Sequence, residues 1–324
     1  IQEWTVPATG IYTIEVWGAQ GGGTYGGKGA RMKGDFDLNQ GDMIKIVVGQ
    51  QGGTAGSNNT TSGGGGSFVI ISPYNSNSAI LVIAGGGGGS PGSSDYQSGG
   101  YDDGQTGTSG ARGYGASAYS VGGSSGSGGA SSSRASAGGG FLSDGADNGQ
   151  RSSYGTGGEA FVNGAKGGED LYNSQGGGVD GGFGGGGSGM VSGYRGSGGG
   201  GGYSGGGTGT HNSNNSSHQG GGGGSYNSGT NQSNSSGVRE GDGQIVILFA
   251  AQDADNDGVA DNLDAFPNDP LLNAQPATVD FSTTALGAND DVLDGSLELW
   301  LNADSVHGNL RTPANSELIT SWLD

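Results

Sequence analysis

Cysteine is absent from this 324-residue chain, and histidine occurs only three times. Disulfide staples, thiolate metal sites and cysteine nucleophiles are therefore excluded. Apolar residues make up 30% and charged residues 13%, against roughly half and a quarter in ordinary domains. The first shortage argues against a standard α/β enzyme core, and the second against a highly charged disordered tail. No apolar run reaches the length of about 18 residues that a membrane-spanning helix needs. A signal-peptide pattern is also missing, and opening on Ile1 reads as a mature product or an excised fragment.

Basic residues are scarce as well: 11 Lys and Arg face 30 Asp and Glu, for a net charge of −19. An acidic balance argues against nucleic acid and anionic lipid as partners, and no membrane insertion is expected. The charge is uneven, because residues 250–324 hold 14 of the acids and one base, Arg311. Such a block points to a cation. A long, weakly charged, Ser/Gly/Asn-rich chain without thiols suits an exported bacterial protein, extracellular or at the cell surface, stabilised by metal.

What the chain has in excess is glycine, at 81 residues. No strict Gly-X-Y period runs through it, so collagen is excluded. Three zones follow. Residues 1–84 read as β. Period-2 alternation in Ile11-Tyr12-Thr13-Ile14-Glu15-Val16-Trp17 places Tyr12, Ile14 and Val16 on one face. Further strands are expected at 34–38, 43–48, 67–71 and 80–84, separated by Gly/Asn/Ser turns. The second zone, 85–243, contains 59 glycines, with runs at 85–89, 184–187, 198–202 and 220–224. A strongly β segment follows at 244–249. This order suggests one β-sandwich (residues 1–249) with a long glycine-rich insertion, the closing strand pairing back onto the first block.

Two readings of the glycine runs stay open at this point. Glycine loses more backbone entropy on ordering than any other residue, which favours a flexible linker. The alternative is a packed bundle of extended threefold helices, which make no internal hydrogen bonds and rise about 3.1 Å per residue. Only glycine lets such helices approach closely enough to bond to one another. The runs have similar lengths, and bulky rings sit at their ends: Phe68, Phe141, Tyr203 and Tyr226. A pure linker has no use for such plugs.

An ordered series of segments resembles a known family. It begins with Trp4-Thr5-Val6-Pro7-Ala8-Thr9-Gly10-Ile11-Tyr12-Thr13-Ile14 and Gly18-Ala19-Gln20-Gly21-Gly22. It continues through Gly34-Asp35-Phe36-Asp37-Leu38, Val47-Val48-Gly49-Gln50-Gln51-Gly52, Gly63-Gly64-Gly65-Gly66-Ser67-Phe68-Val69 and Leu81-Val82-Ile83-Ala84-Gly85-Gly86-Gly87-Gly88. Gly181-Gly182-Phe183-Gly184-Gly185-Gly186-Gly187, the run 198–202 with Tyr203, and Glu240-Gly241-Asp242-Gly243-Gln244-Ile245-Val246-Ile247 complete it. The series is similar to the glycine-rich extracellular domain of the anaplastic lymphoma kinase and leukocyte tyrosine kinase receptors. The resemblance implies a tumour-necrosis-factor-like jelly roll carrying a bundle of polyglycine II helices. The receptors' kinase domain, membrane span and cysteines have no counterpart here, so their activity is not implied.

Residues 253–264 read D-x-D-x-D-G-x-x-D-x-x-D. Calcium takes six to eight oxygen ligands, and alternate residues of a tight loop can supply them. Asp253, Asp255 and Asp257 offer side-chain oxygens, Gly258 allows the turn, Val259 offers its carbonyl, and Asp261 and Asp264 close the shell. The loop resembles a thrombospondin type 3 repeat, with Asp264 where an EF-hand has Glu. Phe266-Pro267-Asn268-Asp269-Pro270 continues that pattern and brings Asn268 and Asp269 into question as a second site. Residues 250–275 are thus expected to be a calcium-loop linker. Residues 276–324 read as a linker and the cut-off start of a second β-sandwich, Leu297-Glu298-Leu299-Trp300-Leu301 resembling the first strand of a concanavalin-like, laminin-G-type lectin domain.

Other chemistry is thin. Gly22–Lys28 has phosphate-loop spacing but is followed by Gly29 rather than Ser or Thr. His211 and His218 read as surface-loop residues and Asp102-Asp103 as a solvated turn. The expectation is a non-enzymatic surface protein that binds a cell-surface glycan or protein receptor. The alternatives are a self-associating subunit of an extracellular filament or matrix, and the binding region of a larger secreted enzyme.

Overall fold

The computed structural model describes residues 1–55, 60–91, 101–115, 120–131, 134–149, 152–171, 178–191, 195–210 and 218–250. Residues 1–250 form one compact unit. It is mainly β, and its sheets are antiparallel apart from one bridge. In chain order the strands are β1 (Gln2–Thr5), β2 (Gly10–Trp17), β3 (Gly29–Leu38), β4 (Met43–Val47), β5 (Thr54–Ala55), β6 (Thr60–Thr61) and β7 (Ser67–Ile71). They continue with β8 (Ile80–Ala84), β9 (Met190–Val191), β10 (Arg195–Ser197), β11 (Gly209–Thr210), β12 (Tyr226–Asn227), β13 (Thr230–Arg239) and β14 (Gln244–Ala250).

One sheet has the order β1-β4-β7-β8-β12 and another β13-β3-β2-β14. The alternation read from β2 holds: Tyr12, Ile14 and Val16 are all buried. With Met32, Phe36 and Leu38 of β3 they meet Ile44, Val69 and Val82 of the facing sheet in one apolar core. Strand β14 lies against β2 in unbroken register, from Gln244↔Trp17 to Ala250↔Ile11. The last segment of the unit therefore closes onto the first block.

Within the sheet β1-β4-β7-β8-β12, strands β7 and β8 are buried on both faces. Residues of β7 and β8 alternate between two cores: Val69 and Val82 turn to the first, while Phe68, Ile70 and Ile83 turn to a second. That second core is completed by residues of the glycine-rich zone, Phe141, Phe161 and Tyr203. Continuous apolar text, Ser67-Phe68-Val69-Ile70-Ile71 and Ile80-Leu81-Val82-Ile83-Ala84, is what a doubly covered strand requires.

The glycine-rich zone is narrower than the interval 85–243. From Tyr226 onward it is strand, because β12 pairs with β8 and β13 pairs with β3. A third, small sheet, β11-β10-β6-β5 with β9 beside β10, joins the far ends of several runs. Its β10–β6 bridge, Ser197↔Thr61, is the parallel one.

The outer face of β2 and β3 is polar and paired. Thr13 Oγ1 donates to Asp35 Oδ1 at 2.6 Å, and Asn231 Nδ2 donates to Asp35 Oδ2 at 2.9 Å. The Thr13 bond first and the Asn231 bond second hold the Asp35 carboxyl below the usual aspartate value. A depressed carboxyl stabilises the fold above its unfolded pKa, and that contribution is lost as pH falls through the folded value. Thr13→Val should therefore lower the denaturation midpoint at neutral pH and leave a smaller deficit in acid. Carbon-detected titration of Asp35 should show its pKa rising toward the ordinary value in the variant.

Candidate functional site

The residues expected to form a calcium loop, Asp253, Asp255, Asp257, Val259, Asp261 and Asp264, lie outside the described residues. So do Asn268, Asp269, His211, His307 and the segment 297–301 whose text resembles a lectin-domain strand. Among the described residues no cluster of three or more His, Asp or Glu could hold a metal ion. The described glycine runs form the most unusual feature of the molecule.

The runs 63–66, 85–89, 198–202 and 220–224 are buried throughout. Their ends are aligned. At one end they meet the sheet, through Ser67 of β7, Ala84 of β8, Tyr203, and Ser225 before β12. At the other end stand Ser62, Ser90, Ser197 and Gln219, all buried.

The backbone bonds of the run 198–202 leave it in all directions. Gly198 and Gly201 donate to the carbonyls of Thr61 and Gly64, at 3.0 Å each. Gly199 and Gly202 donate to Ser136 and Gly139, and Gly200 donates to Gly221. In return, Gly198 and Gly201 accept from Gly89 and Gly86, Gly199 accepts from Gly187, and Gly200 accepts from Gly206. Six neighbouring segments thus surround this run. Residues three apart face the same neighbour, and their partners are also three apart.

The same spacing recurs in other runs. Gly220 and Gly223 donate to Gly89 and Gly86, while Gly221 and Gly224 donate to Gly207 and Ser204. Gly63 and Gly66 donate to Gly187 and Gly184. Gly87 and Ser90 donate to Ala19 and Gly22. Buried amides that lack a secondary-structure ladder are in this way satisfied between segments.

Glycine is a steric requirement here. A Cβ on Gly200 would collide with the Gly86 carbonyl oxygen, one on Gly223 with that of Gly201, and one on Gly88 with that of Gly220. Each obstacle is backbone of a neighbouring run, which cannot rotate away as a side chain can.

The aromatic residues at run ends gather beneath the runs. Phe161, placed by a single 3-10 turn, Phe161–Asn163, stacks on Phe68 at 5.3 Å and on Phe141 at 5.4 Å between ring centroids. Tyr203 leans on Tyr226 at 5.0 Å, and burial pushes its phenol up from the usual tyrosine value. At the opposite end hydroxyl groups tie the segments. Thr61 Oγ1 lies 3.0 Å from Ser197 Oγ, which donates to the His218 carbonyl at 3.0 Å, and Ser120 Oγ lies 2.7 Å from Thr208 Oγ1.

Two sequence readings need correction. His218 is buried, not on a surface loop, because Gln219 leads from it directly into the packed run 220–224 and its carbonyl accepts from Ser197 Oγ. Asp102 is buried rather than solvated, and its carbonyl accepts the Gly88 N–H at 2.7 Å. Asp103 beside it accepts the Lys28 backbone N–H through Oδ1 at 2.8 Å. Nothing in local composition distinguishes these residues from loop residues; their burial comes from partners 14 or more positions away.

Asp102 and Asp103 open onto a surface cleft of about 600 Å³, lined also by Gln20, Tyr25, Lys28 and Glu240. Lys28 Nζ meets Glu240 Oε1 at 2.7 Å. The hydrogen bond and then the charge of each partner raise the lysine pKa and lower that of the glutamate. Tyr25 is half exposed. The cleft is thus lined by a paired lysine and glutamate, the Asp103 carboxylate, a Gln20 amide bonded to Gly26 and Gly241, and the Tyr25 ring.

No protein-family model matches the chain.

Proposed function

We propose that residues 1–250 are a rigid, non-enzymatic, extracellular head whose glycine runs are polyglycine II helices, built to present a binding surface. The observation that carries this reading is the three-residue spacing of bonds between runs. A threefold extended helix turns once every three residues, so successive N–H groups point about 120° apart, and every third one meets the same neighbour. Such a lattice is stiff because each segment is held from several sides by backbone alone. The similarity to the receptor-type glycine-rich domain supports a jelly-roll arrangement for the two larger sheets.

The head is followed in sequence by the calcium loop and the lectin-like segment, an order that suits an adhesin of a bacterial cell surface. On this reading calcium turns the connector at residues 253–264 from a self-repelling acidic stretch into a stiff spacer. The cleft beside Tyr25 supplies the contact for a hydroxyl-rich ligand. Carboxylate and amide groups hydrogen-bond sugar hydroxyls, while the tyrosine ring takes an apolar sugar face.

The test is binding of the whole chain to a glycan array and to intact cells, with and without Tyr25→Ala. Specific binding that the substitution weakens about tenfold or more supports the reading. A flat response on both surfaces counts against it. Calorimetric calcium titration should show a site abolished by Asp255→Ala together with Asp257→Ala; unchanged affinity removes calcium from those residues.

A further inference from the structure

Four strands end the two larger sheets: β1, β12, β13 and β14. An edge strand leaves alternate N–H and C=O groups without a ladder partner, and proteins usually blunt it with bulges, charges or short length. Three of these edges are blunted. Strand β13 shifts register between Thr230 and Ser233 and again between Ser235 and Arg239, with Gly237 left-handed at φ 62°. Strand β12 has two residues, and β1 has four with Glu3 among them.

Strand β14 has none of these devices. It holds seven residues, Gln-Ile-Val-Ile-Leu-Phe-Ala, without charge, proline or bulge. Among the described residues no strand pairs with its outer edge. Leu248 is 58% exposed and Phe249 is 41% exposed. A straight, uncharged edge of this length is a docking template for one more strand.

We infer that this edge is a self-association surface, where a second copy of the chain adds its own β14 antiparallel about a two-fold axis. The strand is self-complementary in that arrangement. With Ile247 on the axis, Val246 stands opposite Leu248 of the partner subunit on the outer face. Ile245 then stands opposite Phe249 of the partner subunit on the core side, where Ile245 and Ile247 already pack against the first core. Both are pairings of aliphatic or aromatic residues that favour cross-strand contact. No charge within β14 faces its own image. Because each copy carries a net charge of −19, long-range repulsion opposes the encounter, and added salt tightens the dimer. The two-fold pairing uses up the edge, so assembly stops at two copies.

The experiment is sedimentation of the full chain over a range of concentrations and salt, for the native sequence and Leu248→Lys. Leu248 is largely exposed, so the lysine leaves the fold intact, which circular dichroism verifies. The native chain should show a monomer–dimer equilibrium that tightens with sodium chloride, and Leu248→Lys should weaken it at least tenfold. Because the chain has no cysteine, Ile247→Cys should form a disulfide-linked dimer on mild oxidation, whereas Val121→Cys, exposed and away from the edge, should not. A concentration-independent monomer overturns the inference. So do masses growing beyond two copies, or a dimer indifferent to Leu248→Lys. None of these outcomes bears on the glycine lattice, so failure here is distinguishable from failure of the proposed function.

Discussion

Gly200→Ala should destabilise the protein by about 4 kcal/mol or prevent folding outright, although it adds a single methyl group. The new Cβ would meet the Gly86 carbonyl oxygen, with the Gly87 carbonyl oxygen 2.8 Å away. Overpacking in an ordinary core costs about 1–3 kcal/mol because side chains yield. Here only backbone can yield. Moving the run 85–89 strains bonds that Gly86 and Gly89 donate to Gly201 and Gly198 and accept from Gly223 and Gly220, each worth about 1 kcal/mol. Gly107→Ala is the matching control. Nothing lies within 4 Å of a Cβ there, so its effect should stay within about 0.5–1 kcal/mol, on the stabilising side if it only restricts the unfolded chain. Chemical denaturation of both variants checks the contrast. Equal, small effects would mean that the runs are not closely packed.

Phe161→Ala should cost about 3–5 kcal/mol, the range for a buried phenylalanine truncated in a well-packed core. Its ring lies between Phe68 of β7 and Phe141 of the glycine-rich zone. It therefore joins the sheet to the runs, and its loss should loosen both together. In a double-mutant cycle, Phe161→Ala with Phe68→Ala should fall short of the sum of the single effects by about 1 kcal/mol, because both remove one contact. Additive effects would place the rings in independent units.

The two-sheet core was the most legible part of the sequence. Strong alternation in β2, and the apolar runs of β7 and β8 bounded by turn residues, mark strands that local pattern alone identifies. Strand β3 begins five residues earlier than its pattern suggests, because Gly29-Ala30-Arg31-Met32-Lys33 mixes glycine with two charges whose stems lie on the outer face. Strand β13 left no signal: Thr230-Asn231-Gln232-Ser233-Asn234-Ser235 is polar on both faces, as an exposed edge strand can be. Its place comes from pairing with β3, about 200 positions away.

The positions of the glycine runs are plain in the sequence, but their order is not. Locally each run prefers coil. What holds Gly86 is Gly201, and what holds Gly200 is Gly221 together with Gly206, so the stabilising partners are invisible to any short window. The plugging rings were the legible hint, since Phe141, Tyr203 and Tyr226 have no role in a tether and join one apolar cluster. Residues 253–264 differ: the spacing of acids around Gly258 carries the expectation of a calcium loop, and these residues lie outside the described ones.

Hydrogen exchange followed residue by residue is the most direct test of the packed glycine lattice. Amides of residues 86–89, 198–202 and 220–224 should exchange as slowly as those of β2 and β7, protected on the order of a thousandfold or more. Exchange of those glycines at the rate of free coil, beside fully protected strands, would contradict the account.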